Sequence, residues 1–232
     1  MRYLGGKTKL AKRYIPAMEQ TLADARGVFY EPFVGGFNLV PALGERVISA
    51  HCSDTHTGLI AMYHAIQAGW APPGSLSELE YASLRNADES PLRTFAAFAC
   101  SFGGKEWGGY ARDRAGLRNF AAEQQRFLAK KSAAIVRSSF AVADYRDLSP
   151  SQSVIYCDPP YTGTTGYANG GFDHAAFYKW CERMAADNAV FVSEFTIPER
   201  KGWDPVLTIP RKSSVRRNDG ITVNDYLIRV HA

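Results

Sequence analysis

Four consecutive residues, Asp158-Pro159-Pro160-Tyr161, have the types and the order to hold an aromatic amine. Each proline ring fixes φ and removes a backbone N–H, so two successive positions offer carbonyl acceptors and no donors. A carboxylate beside such a carbonyl can accept both hydrogens of one exocyclic amino group, and the flat face of Tyr161 can lie against the ring that carries it. The lone pair of such an amine is delocalised into its ring. Accepting both hydrogens pulls the nitrogen toward sp³ and frees the pair to attack an alkyl group held in line, with positioning supplying most of the rate. Asp158 need not be a strong base. The same tetrapeptide also suits a plain strand terminator, two prolines with an incidental acid.

Two further segments could serve a small ligand. In Phe29-Tyr30-Glu31-Pro32-Phe33-Val34-Gly35-Gly36-Phe37-Asn38 a strand runs into a glycine turn. It is not the G-x-G-x-x-G dinucleotide fingerprint, and no G-x-x-x-x-G-K-[ST] phosphate loop occurs, so hydride transfer and nucleoside triphosphate hydrolysis both lose ground. Paired glycines let backbone approach a ligand closely, and Asp54 is spaced to bind ribose hydroxyls; a tight structural turn would look the same. In the leader Arg2-Tyr3-Leu4-Gly5-Gly6-Lys7, the glycines allow a turn with exposed amides and Lys7 could neutralise a carboxylate. Alone, it could equally be a flexible leader.

The elements that would position these residues alternate. Residues 27–31 and 47–53 are apolar strand candidates with the glycine turn and a short helix between them, and 57–68 has Leu59, Ile60, Tyr63 and Ile66 at helical spacing before Gly69. Later, 136–143 alternates as a strand, 153–157 is a buried strand, 174–187 a helix, and 189–195 and 226–230 two more strands. Such alternation predicts an α/β fold, a mainly parallel Rossmann-like sheet with helices on both faces and ligands beyond the carboxyl ends of its strands. Glu31, Asp54 and Asp158 all stand at strand ends and would converge on one crevice, although a strand-end acid can also merely cap the next helix.

Residues 69–131 break the alternation. After Pro72-Pro73 and a helix candidate at 76–85 comes the glycine-rich, aromatic and basic run from Ser101 to Arg112, followed by Arg114 and Arg118. Basic groups neutralise phosphates and aromatic faces stack on unpaired bases, which suits nucleic acid; a solvated loop anchored by Trp107 has the same composition. Domains of 1–68 plus 132–232, with 69–131 inserted as a recognition region, are the expected division.

Composition bounds the rest. The chain has 232 residues, 46% hydrophobic and 22% charged, which is one ordinary domain's worth and excludes disordered and fibrous classes. Lys and Arg number 27 against 23 Asp and Glu, a net charge of +4 that accommodates a polyanionic partner without demanding one. Cys52, Cys100, Cys157 and Cys181 stand far apart and cluster with none of the five histidines, so a reduced, cytoplasmic protein without metal is expected. No apolar run is long enough for a membrane span or a signal peptide.

Taken in order, these segments resemble the Dam-type adenine-specific DNA methyltransferases that use S-adenosylmethionine. The matching pieces are an aromatic-x-Gly-Gly-Lys leader (Tyr3 to Lys7, with Gly5 and Gly6), Glu-Pro-Phe-Val-Gly-Gly (Glu31, Pro32, Phe33, Val34, Gly35, Gly36), the acid Asp54 after the second strand, and Asp-Pro-Pro-Tyr (Asp158, Pro159, Pro160, Tyr161). The resemblance extends over residues 1–68 and 132–197. It implies a class I methyltransferase sheet in which Tyr3 and Lys7 contact the methionine end of the cofactor, Phe33 to Gly36 form the turn beneath it, Asp54 binds its ribose and Asp144-Tyr145 its adenine. Asp158 would serve both the cofactor side and the target amine, Pro159 would supply a carbonyl, and Tyr161 would stack on the flipped base. Ser193-Glu194 falls where a similar strand lines the pocket.

Double-stranded DNA is the implied partner of a monomeric enzyme. Arg2 occupies a place where the family turns a basic residue toward DNA. Because a paired adenine must be extruded, phosphate contacts have to offset unstacking. The candidates are Lys105, Arg112, Arg114, Arg118, Lys130, Lys131, Arg211, Lys212, Arg216 and Arg217, the last four in a basic tail loop that could also be a solvated turn. The region 69–131 is short for the family and lacks its site-reading hairpin, which leaves sequence preference open. Methylation of cytosine N4, of RNA adenine or of a protein side chain, and a non-catalytic DNA-binding module, remain the alternatives. Cytosine C5 chemistry is disfavoured, since no Pro-Cys pair supplies a nucleophile.

Overall fold

The structure, a computed structural model, describes residues 1–161, 171–212 and 222–232. Its strands are β1 (Val28–Glu31), β2 (Ser49–Asp54), β3 (Ser138–Val142), β4 (Val154–Cys157), β5 (Ala189–Glu194), β6 (Trp203–Lys212) and β7 (Thr222–Val230), joined in one seven-stranded sheet of order β3-β2-β1-β4-β5-β7-β6. β4 pairs in parallel with β1 and β5, while β7 runs antiparallel to both β5 and β6. This is the expected α/β, Rossmann-like architecture, mainly parallel with an antiparallel end. The helices are α1 (Ala11–Asp24), α2 (Leu39–Leu43), α3 (Thr57–Gln67), α4 (Glu78–Leu84), α5 (Pro91–Ala99), α6 (Phe120–Arg137) and α7 (His174–Ala185). None of them is long and apolar enough to cross a membrane.

Two compact units divide the chain: residues 1–12, 34–44 and 52–142 form the first, and 13–33, 45–51 and 143–232 the second. Residues 69–131 lie in the first unit, together with residues 1–12 and 34–44.

In the second unit every residue of β4 is buried, as befits a strand covered on both faces. Its neighbour β1 is in register through Phe29↔Val154 and Tyr30↔Ile155. The chain leaves β1 for strands on one side and returns to β4 on the other, so the carboxyl ends of β1 and β4 flank the point where strand order reverses. Asp173 caps α7 by accepting from Ala176 N at 2.9 Å, and the helix then buries Phe177, Trp180, Cys181 and Met184 at helical spacing. These meet Ile155, Cys157, Val190, Val192 and Ile228 in one core.

In the first unit four helices start on side-chain caps: the His56 ring accepts from Leu59 N on α3, Ser77 and Glu80 form a reciprocal capping box on α4, Ser90 precedes a proline at the first position of α5, and Asn119 caps α6. The Gln67 side chain donates to Ile135 O (2.9 Å) and Ser138 O (2.7 Å), tying the end of α3 to the α6–β3 junction. That junction corrects the expected strand over 136–143, since Val136 and Arg137 finish α6 and pairing starts at Ser138. The last strand is likewise longer than 226–230, and β6 accompanies it, its end at Pro210–Lys212 falling where the basic tail loop was expected to begin.

Phe177 is fully buried at the centre of its cluster. Phe177→Ala is expected to cost about 3–5 kcal/mol in urea unfolding, whereas Phe102→Ala, at a surface position, should stay within about 0.5 kcal/mol.

Candidate active site

The glycine turn of the first unit is held from every side. Asp54, the last residue of β2, accepts from Gly35 N through Oδ2 and from His56 N through Oδ1, each at 3.0 Å. The Tyr63 hydroxyl donates to Gly35 O at 2.6 Å, and Val34 N donates to Ser53 O at 2.9 Å. Gly35 has φ +41°, and a Cβ there would stand 2.8 Å from the Tyr3 ring. Only glycine lets the leader lie this close. Gly36 is buried against Met1 and Asn38, and among the described residues its N–H has no acceptor.

The leader is packed. Leu4 N donates to Gly104 O at 2.9 Å, the Tyr3 and Phe98 rings lie 5.0 Å apart, and the buried Lys7 ammonium donates to Gly5 O at 3.0 Å. In place of a flexible leader the structure has a packed one, with Tyr3 laid directly against Gly35 and Gly36.

Sequence reasoning placed Lys131 among the phosphate-binding cations, and the structure corrects this. Lys131 is buried, and its ammonium donates to Gly36 O (3.1 Å), Phe37 O (2.7 Å) and Asn38 Oδ1 (2.7 Å). The cation on α6 thus clamps the far side of the turn.

The second unit carries the tetrapeptide. Glu31 ends β1, buried, and Asp158 follows β4 directly, half-buried. Behind it the buried hydroxyls form a chain: Ser193 Oγ donates to Tyr14 OH (3.2 Å), so the Tyr156 hydroxyl must donate to Ser193 Oγ (2.7 Å). Burial, with the Asp158 charge adding to it, pushes both phenols up and keeps them protonated. The Tyr161 ring meets Phe195 edge-to-face at 4.2 Å; burial first, then the charges of Asp158, Asp225 and Glu194, raise its pKa as well. Glu194 and Asp225 are buried at β5 and β7, and Glu194 accepts from Phe195 N at 2.8 Å. Tyr14 and Asp225 had no signal in the sequence: the first sits in a helix interrupted by Pro16, the second in a polar stretch of strand.

Phe33 and Tyr145 are neighbours at 5.6 Å in an aromatic wall with Phe172, Phe177 and Trp180. Asp144, expected beside the cofactor's adenine, caps its own turn and holds Arg146 through two contacts of 2.8 and 2.9 Å, which keeps its carboxyl below the ordinary range.

Of the phosphate-binding candidates, Arg2 and Arg118 lie over the Phe120 ring at 4.5 and 4.4 Å, Arg118 also holding Glu123. Arg112 pairs with Glu78. Lys105 and Arg114 are exposed and make no ion pair among the described residues. Arg211 and Lys212 end β6, and Arg216 and Arg217 lie outside the described residues. A cavity of about 340 Å³ beside α6 is lined by Arg118, Glu123, Arg126, Phe127 and Lys130, so the basic surface extends to Arg126, which the sequence reading left out.

No protein-family model matches the chain, and no curated protein matches it. Among solved structures, a protein described as an RNA methyltransferase from Pyrococcus horikoshii aligns over 97% of this chain and 85% of its own, with 10% identity and a TM-score of 0.46. One described as a methyltransferase from Escherichia coli aligns over 97% and 87% at 10% identity and TM-score 0.40. TrmN from Thermus thermophilus aligns over 93% of this chain and 48% of its own, at 12% identity and TM-score 0.37. Likeness at this level concerns at most the path of the chain.

Lys131→Met keeps the bulk and removes the ammonium, so amide exchange at residues 35–38 should rise about 10-fold, the equivalent of one lost hydrogen bond. Unchanged exchange there would show that the turn holds without the cation. Burial raises the pKa of Asp54 above its ordinary 3.8, while the His56 and Gly35 amides oppose the shift. An acid with a raised folded pKa favours folding below that window and loses the contribution as pH rises through it. Stability relative to Asp54→Asn should therefore fall as pH climbs above about 4, measured by urea unfolding at several pH values.

Proposed function

We propose that this chain is an S-adenosylmethionine-dependent methyltransferase acting on the N6 amine of adenine in double-stranded DNA. The observation that carries the reading is the place of Asp158-Pro159-Pro160 directly after β4, beside the end of β1, where strand order reverses. Among the described residues nothing donates to the Pro159 carbonyl, the acceptor the chemistry requires.

The residues present fit the cofactor. The Gly35-Gly36 turn is close-packed on Tyr3, with no room for a Cβ at either glycine, and among the described residues the Gly36 amide has no acceptor. Tyr3, Gly5, Gly6 and Lys7 would hold the methionine end, Phe33 to Gly36 the underside, Asp54 the ribose through the lone pairs that Gly35 and His56 leave, and Tyr145 with Phe33 the adenine. When bound, S-adenosylmethionine supplies an electrophilic methyl on a sulfonium.

The chain's own part is to prepare the acceptor. Asp158 and the Pro159 carbonyl accept the two hydrogens of the amine and free its lone pair for the methyl carbon. The amine nitrogen so prepared would take the methyl group that the bound cofactor would supply, and the Asp158 carboxylate would accept the surplus amine proton and pass it to solvent. Tyr161 bounds the slot for the flipped base. The neutral hydroxyl chain from Tyr156 to Tyr14 lets Asp158 remain the charged group beside the amine. Residues 69–131 would contact the duplex, with Arg2, Lys105, Arg114 and Arg118 against phosphates. The enzyme would work as a monomer in the cytoplasm.

The test is mass spectrometry of nucleosides from adenine-unmethylated duplex incubated with protein and S-adenosylmethionine at low salt. N6-methyladenine is expected, falling about 100-fold or more with Asp158→Ala. Cofactor binding with no methylated adenine, and methyl transferred instead to RNA or protein, would overturn the DNA assignment.

A further inference from the structure

The tetrapeptide has two proline carbonyls, and the structure treats them differently. Among the described residues nothing donates to Pro159 O, while Pro160 O lies 2.9 Å from His174 Nε2. A carbonyl can only accept, so His174 must carry its proton on Nε2. With φ of both prolines set by their rings, the freedom left in the turn is the orientation of the following peptide planes. A bond to Pro160 O fixes the plane between Pro160 and Tyr161, and with it the direction in which Tyr161 departs.

His174 is itself well anchored. It is the first residue of α7, its backbone N donates to Phe172 O at 3.1 Å, and its ring meets Phe172 edge-to-face at 4.9 Å. Phe172 in turn packs on Phe33 at 5.9 Å and Tyr145 at 5.8 Å. The imidazole therefore ties the tetrapeptide to the aromatic wall assigned to the cofactor's adenine. Nothing in the chemistry of the Asp-Pro-Pro-Tyr turn requires a histidine 14 residues beyond Pro160.

We propose that His174 is a positioning residue for methyl transfer: by occupying the Pro160 carbonyl it holds the turn with Pro159 O turned to the target amine, and it keeps Tyr161 in register with the cofactor wall. The inference rests on the methyltransferase reading. It does not need His174 to change charge, because the neutral Nε2–H tautomer donates as well as the imidazolium.

Two measurements test it. In ¹⁵N-labelled protein the His174 ring should be the Nε2–H tautomer with its proton protected from exchange, a readout independent of activity. In DNA methylation, His174→Ala should lower kcat about 10- to 100-fold with KM for S-adenosylmethionine within about twofold of wild type, and His174→Gln, whose amide can donate, should restore much of the loss. An Nδ1–H tautomer, or kcat untouched by His174→Ala, overturns the proposal. A fall in kcat that Gln does not relieve and that tracks a fall in melting temperature also overturns it, since that is the mark of a merely structural residue. A protected Nε2–H in a wild-type protein that methylates no acceptor overturns the functional reading, and with it any role for His174 in transfer.

Discussion

Parallel pairing on both edges of β4 decides where the chemistry can be. Four buried residues, Val154 to Cys157, bonded to β1 on one side and β5 on the other, leave no latitude in the level at which the strand stops. Asp158 and the two prolines emerge at that level. Proline could not continue the ladder, so the strand ends where the acceptors begin. Glu31, buried as the last residue of β1, is followed likewise by a proline, Pro32. From the hydroxyl chain behind Asp158 to the grip of His174 on Pro160, the surroundings of the turn refine a position that the sheet has already set.

The glycine turn obeys a different constraint. It is irregular backbone that must be both rigid and bare, and its polar groups are satisfied by side chains brought from distant segments. Asp54 takes the Gly35 amide, Tyr63 supplies a hydroxyl to its carbonyl, and Lys131 holds three acceptors just beyond it. Each supporting group is desolvated, and each would be costly to leave unpaired, so the turn is held by interactions that are expensive to lose.

The features legible in the sequence were those written in short range. An all-apolar run before two prolines gave β4 and the tetrapeptide, helical spacing gave α3, and the paired glycines marked their turn. Features set by long-range contact were not legible. Lys131 looks like one more solvated cation beside Lys130, and only the arrival of residues 36–38 at its side of α6 shows it buried. His174 is a lone histidine until Pro160 is beside it. β6 was hidden by Pro205 and Pro210, which an edge strand tolerates because its outward amides have no partner to lose. Helix α1 was hidden by Pro16, and Tyr14 with it. The expected phosphate-binding set fared unevenly for the same reason: composition finds arginines, but only packing shows Arg112 already paired with Glu78.

The central claim is that residues at the ends of these strands hold S-adenosylmethionine, and calorimetric titration of the purified protein with that cofactor tests it most directly. The account predicts one saturable site per chain, weakened by substitution of Asp54. Absence of any binding, in protein shown to be folded by its unfolding transition, would contradict it.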